Sequence, residues 1–238
     1  MHDDYYQNTL YPLQDKVLEI VGKLPVGFYL TGGTALSRAY LYHRYSDDLD
    51  FFINEDPEFK IQVNIVIKAL VDAGYVIDTS VADEGFARIF VFESTSSLKL
   101  DFVNDVSYRN GGSVFTSLFS KTDNLNNILS NKITALGRYS VKDVADIVYI
   151  CEVLKFSWEK IIYDASEKDL WVNPVNIAEV LEQFPVEKLI EINWIAEPPL
   201  HEWLLLVSTK LYPTFSVEMR IRYTNKPDLF KPETPLPR

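Results

Sequence analysis

The spacing of hydrophobic positions changes character near residue 120. Before that point short apolar runs alternate with helical patterns. Phe28-Tyr29-Leu30-Thr31 predicts a buried strand ending at Gly32-Gly33, and Thr34–Tyr42 carries apolar residues at helical spacing. Asp48–Ile53 predicts a second strand, and Glu58–Ala73 a helix stopped by Gly74. Three further strands are expected around Tyr75–Ser80, Ala87–Glu93 and Leu98–Val103. Beyond residue 120 the strand signal vanishes. Leu125–Tyr139, Val141–Lys155, Trp158–Lys168, Val175–Phe184 and Leu200–Tyr212 all read as helices, the second opening on a capping-box-like Ser140-x-x-Asp143. Four prolines after Asn225 predict an extended tail. The expected architecture is α+β: a mixed β-sheet unit with flanking helices over residues 1–120, a helical domain over 121–224 and a tail over 225–238.

Composition narrows the function. With 238 residues, 47% hydrophobic and 24% charged, the chain is long enough for a sizeable buried core and is not a disordered polymer. No apolar run approaches the ~20 residues of a membrane span, and Met1-His2-Asp3-Asp4-Tyr5 lacks the basic start of a signal peptide, so a cytoplasmic location without membrane attachment is expected. One cysteine, Cys151, excludes a disulfide framework, and the scattered His2, His43 and His201 argue against a histidine-rich metal site. Cys151 lies in an apolar helical run and reads as core, as do Trp158, Trp171, Trp194 and Trp203.

The balance of 23 basic against 34 acidic side chains, net −11, argues against a non-specific nucleic-acid coat. The acid is uneven. Residues 121–160 hold six basic and five acidic side chains, whereas residues 161–210 hold three and nine.

Candidate chemistry concentrates between Tyr29 and Phe52. Gly32-Gly33-Thr34 sits between a strand and a helix, where small residues let backbone approach a ligand and a helix start offers N–H groups to phosphate; alone, such a turn is more often a plain structural bend. Asp48-Leu49-Asp50 opens a strand, so the two carboxylates share a face while Leu49 points to the core. Paired carboxylates repel unless a cation or proton intervenes, and hard oxygen ligands suit Mg²⁺. Asp47 faces the other way. Asp101 interrupts an apolar strand, and if that strand neighbours Asp48–Asp50, three carboxylates converge in the manner that serves two divalent ions.

The order Gly-Gly-Thr-Ala-Leu, then Arg44-x-Ser46-x-Asp48-Leu49-Asp50-Phe51-Phe52, resembles the polymerase-β-like nucleotidyltransferase superfamily. Asn131-Lys132-Ile-Thr-Ala-Leu-Gly-Arg138 followed by Lys142-Asp143-Val-Ala-Asp146 is similar, more narrowly, to the abortive-infection (Abi-type) nucleotidyltransferase toxins of type IV toxin–antitoxin systems. The resemblance implies a nucleotidyltransferase sheet core and an enzyme that transfers a nucleoside monophosphate from an NTP to an acceptor hydroxyl, releasing pyrophosphate. It implies Asp48, Asp50 and Asp101 as ligands of two Mg²⁺ ions, Gly32, Gly33 and Thr34 as phosphate holders, Lys132 toward the triphosphate, and Asp146 as the helical acid of the site. Arg138 and Lys142 extend the positive surface in this reading, and Ser46 braces the turn. A tRNA or other RNA end is the expected acceptor and an antitoxin the expected partner. A protein side chain, an aminoglycoside-like small molecule, or a non-catalytic interaction module with the same fold are the alternatives.

Overall fold

The computed structural model describes residues 2–94 and 96–196. The helix expected over 200–212, the tail over 225–238, His201 and Trp203 lie outside the described residues.

The chain opens with helix outside the elements predicted from the hydrophobic pattern. A short α1 (His2–Tyr5) and a π-helical turn (Tyr6–Leu10) lead into α2 (Tyr11–Gly22). Leu13, Val17, Leu18 and Val21 form its buried stripe. Strand β1 (Tyr29–Thr31) then passes through the Gly-Gly turn into α3 (Gly32–Thr34), which continues as a π-helical stretch, Ala35–Leu41, rather than the regular helix expected. Strand β2 (Leu49–Asn54), α4 (Phe59–Asp72), β3 (Val76–Ala82), β4 (Phe86–Glu93) and β5 (Ser96–Asp105) follow. The described helical part comprises α5 (Leu125–Ala135), α6 (Val141–Val153), α7 (Trp158–Ser166) and α8 (Pro174–Glu182), with 3₁₀ turns at Leu136–Arg138 and Val186–Glu191.

The five strands make one mixed sheet in the order β1-β2-β5-β4-β3. Only β2 and β5 run parallel; the other pairs are antiparallel. Alternation decides what each face holds. Leu49, Phe51 and Ile53 of β2 and Leu98, Leu100 and Phe102 of β5 are buried in the core, where Phe51 stacks on Phe102 at 5.4 Å between ring centroids. Burying each such side chain contributes about 1.5–3 kcal/mol, so this face fixes the register. A one-residue slip would turn the carboxylates inward.

Capping chemistry sets the helix starts. Asn124 accepts from the Asn127 amide to start α5, and Asn173, followed by Pro174, accepts from the amides of Val175 and Asn176 to start α8. Gly74, at φ +94°, ends α4 as expected. The expected capping box at α6 does not form. Ser140 occupies the cap position without a side-chain bond, and the Asp143 carboxylate, which would form the other half of the box, is drawn to Lys132 and Arg138. Cys151 and Trp158, Trp171 and Trp194 are partly buried and pack against the core. No described helix is long and apolar enough to cross a membrane.

Candidate active site

Strand register places the chemistry in one row. Thr31 of β1 pairs with Asp50 of β2, Asp50 with Asp101 of β5, and Asp101 with Arg88 of β4. All point away from the core face. Asp48 precedes Asp50 by two residues, and Lys99 precedes Asp101 by two, so both join the same face. The parallel pairing of β2 with β5 brings the three carboxylates onto neighbouring strands.

Each is compensated differently. Asp101 is gripped by a guanidinium fork: Arg88 Nε lies 2.7 Å from Oδ1 and the Arg88 terminal nitrogen 2.7 Å from Oδ2. Asp48 takes the Lys99 ammonium at 2.7 Å, and that ammonium also stands 3.5 Å from Asp101. Asp50 forms no hydrogen bond or ion pair with any described residue. Burial, then the charge of Asp48, pushes its carboxyl up to about 6. An uncompensated carboxylate beside Asp48 is the donor set a divalent cation completes, so the two residues fit one by charge and chemistry. Among the described residues, no three His, Cys, Asp or Glu side chains are gathered as a ready metal cluster, because Asp101 is turned to Arg88.

The glycines are explained by what lies against them. Gly32 has φ +69°, and a Cβ there would collide with the Asp50 carboxylate. A Cβ on Gly33 would fall 2.6 Å from an Arg44 nitrogen and 3.0 Å from Ser46 Oγ. Gly32→Ala is therefore expected to displace either the loop or Asp50, lowering turnover at this site by about 10²-fold while the far strands keep their structure; steady-state kinetics with far-ultraviolet circular dichroism checks it. Thr31 makes no side-chain cap for α3; its hydroxyl donates to Asp123 at 2.8 Å. The first amides of that turn are thus left without a side-chain acceptor. Thr34 is fully buried, and its hydroxyl bonds the Asp48 carbonyl and Ser46 Oγ, so its side chain braces the loop from behind.

Behind the loop lies a buried ion network. Arg44, 2% exposed, donates from Nε to Asp146 Oδ1 at 2.7 Å and from a terminal nitrogen to Oδ2 at 2.8 Å. Lys132, 8% exposed, reaches Asp143 at 2.8 Å and Asp146 at 2.7 Å. His43 Nε2 lies 2.8 Å from Asp146 Oδ1, and burial lowers the His43 pKa, leaving the ring neutral near pH 7. Burial alone would raise Asp146, yet Arg44 and Lys132 outweigh it and hold the carboxyl well below its usual range. Lys132 is also close enough to Asp50 to oppose its upward shift. Arg138 and Lys142 are exposed and pair with Asp143 and Asp47; Asp47 is held by Tyr6 at 2.5 Å, outside the carboxylate row as expected.

Beside the row a cavity of ≈ 540 Å³ is lined by Phe52, Asp105, Asn131, Arg138, Lys168 and Trp171 among others. Phe52 follows Asp50 by two residues on the same face. Burial lowers Lys168 to about 8, and its ammonium is held by Asn127, Ser130 and Asn131.

Sequence reasoning missed Arg88, Lys99 and the Arg44–Asp146 pair. Lys99 carried a signal in its spacing of two from Asp101; Arg88 had none before β4 was paired with β5.

Two solved structures share the fold. JHP933 from Helicobacter pylori superposes with a TM-score of 0.54 at 17% identity, over 92% of this chain and 95% of that one. MenT4, a nucleotidyltransferase toxin from Mycobacterium tuberculosis H37Rv, superposes with a TM-score of 0.50 at 15% identity, over 72% of this chain and 63% of that one. No curated protein sequence matches significantly. The family model of the AbiEii nucleotidyltransferase toxins of type IV toxin–antitoxin systems matches residues 21–194, which include the glycine loop, the carboxylate row and the buried ion network, and this chain therefore belongs to that family of nucleotidyltransferases.

Proposed function

We propose that the protein is a divalent-cation-dependent nucleotidyltransferase that moves a nucleoside monophosphate from an NTP to the terminal hydroxyl of a tRNA or other RNA. The carrying observation is the pair formed by Asp50 on β2 and Asp48 just before it, with Asp50 free of any ion pair among the described residues and pressed against Gly32. Asp48 and Asp50 would hold Mg²⁺, with Asp101 the ligand of a second ion; metal there would neutralise charge on the transferring phosphoryl group.

The rest is done by the chain's own residues. The Gly32-Gly33 backbone admits phosphate oxygens close to the loop. Lys132, fixed by Asp143 and Asp146, supplies positive field toward the triphosphate. Asp146 is fully buried, so we assign it the positioning of Arg44 and Lys132 rather than contact with substrate. Phe52 and Trp171 offer apolar surface to the nucleoside in the adjoining cavity. In the reaction the acceptor oxygen bonds to the α-phosphorus, the bond to the β-phosphate oxygen breaks, and pyrophosphate leaves. Asp101 takes the hydroxyl proton; the Arg88 fork occupies one lone pair on each oxygen and leaves others free.

In this reading the sheet unit over 1–120 supplies the carboxylates and the helical domain over 121–224 supplies Lys132 and Asp146. The type IV family implies a cognate antitoxin.

The acceptor is tested by incubating the protein with each α-labelled NTP, Mg²⁺ and, separately, total RNA, total protein or an aminoglycoside. Label on RNA is expected, and prior periodate oxidation of RNA ends is expected to abolish it. Label on protein or aminoglycoside alone would overturn the RNA assignment.

A further inference from the structure

The carboxylate face carries its own cations, and they are not equivalent. Asp48, Asp50 and Asp101 contribute three negative charges and Arg88 and Lys99 return two positive ones. Arg88 is bound through both arms of its fork to one carboxylate, with both distances 2.7 Å. Such bidentate pairs are directional and costly to open.

Lys99 is held far less firmly. It makes one close contact, to Asp48 at 2.7 Å, and leans toward Asp101 at 3.5 Å. Its side chain is 26% exposed and that of Asp48 40%. The ammonium sits on a flexible stem, and its cross-strand neighbour is Phe90, which offers no competing charge. Its charge thus lies between two of the carboxylates that would hold metal.

We propose that Lys99 is the resident counter-cation of this site and becomes a substrate ligand. It neutralises Asp48 while the site is empty, yields Asp48 to the metal when metal and nucleotide arrive, and passes to the triphosphate, the nearest new anion. Its departure leaves Asp48, Asp50 and Asp101 facing Arg88 alone, a net charge of −2 that attracts divalent metal to the row. Metal occupancy is thereby tied to the presence of nucleotide. The inference rests on the nucleotidyl-transfer reading and adds to it a residue and an order of events.

Mn²⁺ binding by calorimetry, without nucleotide, tests it on the full-length protein. Lys99→Met is expected to bind Mn²⁺ about tenfold more tightly than wild type, because the competing charge is gone, and Lys99→Arg to stay within about threefold. With Mn²⁺ saturating, Lys99→Met is expected to bind a non-hydrolysable NTP analogue about tenfold more weakly. General damage would weaken both. Lys99→Met binding Mn²⁺ no more tightly than wild type, or binding the analogue equally well, would overturn the role of Lys99. Equal Mn²⁺ binding by wild type and Asp50→Asn would instead overturn the metal site, and the proposal with it.

Discussion

Asp50→Asn is expected to abolish nucleotidyl transfer and at the same time to stabilise the fold. The activity loss is about 10³-fold or more, since the amide cannot supply the anionic ligand on which charge neutralisation depends. Stability moves the other way because burial and Asp48 hold the Asp50 carboxyl at about 6, above the 3.8 of an ordinary aspartate. Between those two values the folded protein keeps a proton that the unfolded chain releases. Stability therefore falls as pH rises through the window, and the full cost is present above pH 6. At about 1.4 kcal/mol per pH unit, reduced because Asp50 is only half-buried, the cost is about 1–2 kcal/mol. For a chain of this size that is a rise in Tm of about 2–6 °C for the asparagine variant at pH 7.5. The gap should close near pH 4, where both side chains are neutral, and Mg²⁺ should narrow it at pH 7.5 by stabilising only the wild type. Thermal denaturation across pH, with and without Mg²⁺, measures all of this. A wild-type Tm at or above that of Asp50→Asn at pH 7.5 without metal would show that Asp50 is not uncompensated.

Asp146→Ala is expected to do the reverse, losing stability and activity together. It strands Arg44 and Lys132, both buried, without their shared partner, and also removes the acceptor of His43. Breaking one side of such a network costs about 3–5 kcal/mol, because charges stay buried after their compensation has gone. Asp146→Asn should cost nearly as much, since the missing charge rather than the missing volume is responsible. The site feels the loss through Arg44, whose guanidinium backs Gly33, and through Lys132, whose field reaches Asp50. Urea denaturation gives the free energy. A loss below about 1 kcal/mol would contradict the network as described. Since Asp146 is held well below the usual carboxylate range, its contribution is present at neutral pH and is lost only as the solution becomes strongly acidic.

Residues whose chemistry follows from local period were legible in the sequence. Asp48, Asp50 and Asp101 stand out because a two-residue alternation puts each on the face opposite an apolar neighbour, and the register confirms that Asp50 and Asp101 are direct partners. The N-terminal helix is legible too, with Leu13, Val17, Leu18 and Val21 at helical spacing, although no glycine or side-chain cap marks its start. Pairing across the fold was not legible. Arg44 and Asp146 are separated by 102 positions, and Lys132 looks like an ordinary surface lysine until α6 brings Asp143 and Asp146 against it. Arg88 and Lys99 acquire meaning only from the strand order. The acidic surplus also changes sense once burial is known. Asp123, Asp146 and Asp164 are fully buried acceptors for Arg109, Arg44 and Lys160, so part of the excess is internal wiring rather than a solvated face.

The Asp48–Asp50 face is proposed to direct nucleotidyl rather than phosphoryl transfer. Parallel reactions with α-labelled and γ-labelled NTP, Mg²⁺ and RNA measure it most directly. Label from the α-position should appear on RNA, label from the γ-position should leave as pyrophosphate, and Asp50→Asn should show neither. Transfer of the γ-label to any acceptor, or α-label transfer undiminished in Asp50→Asn, would show that this face does not carry nucleotidyl transfer.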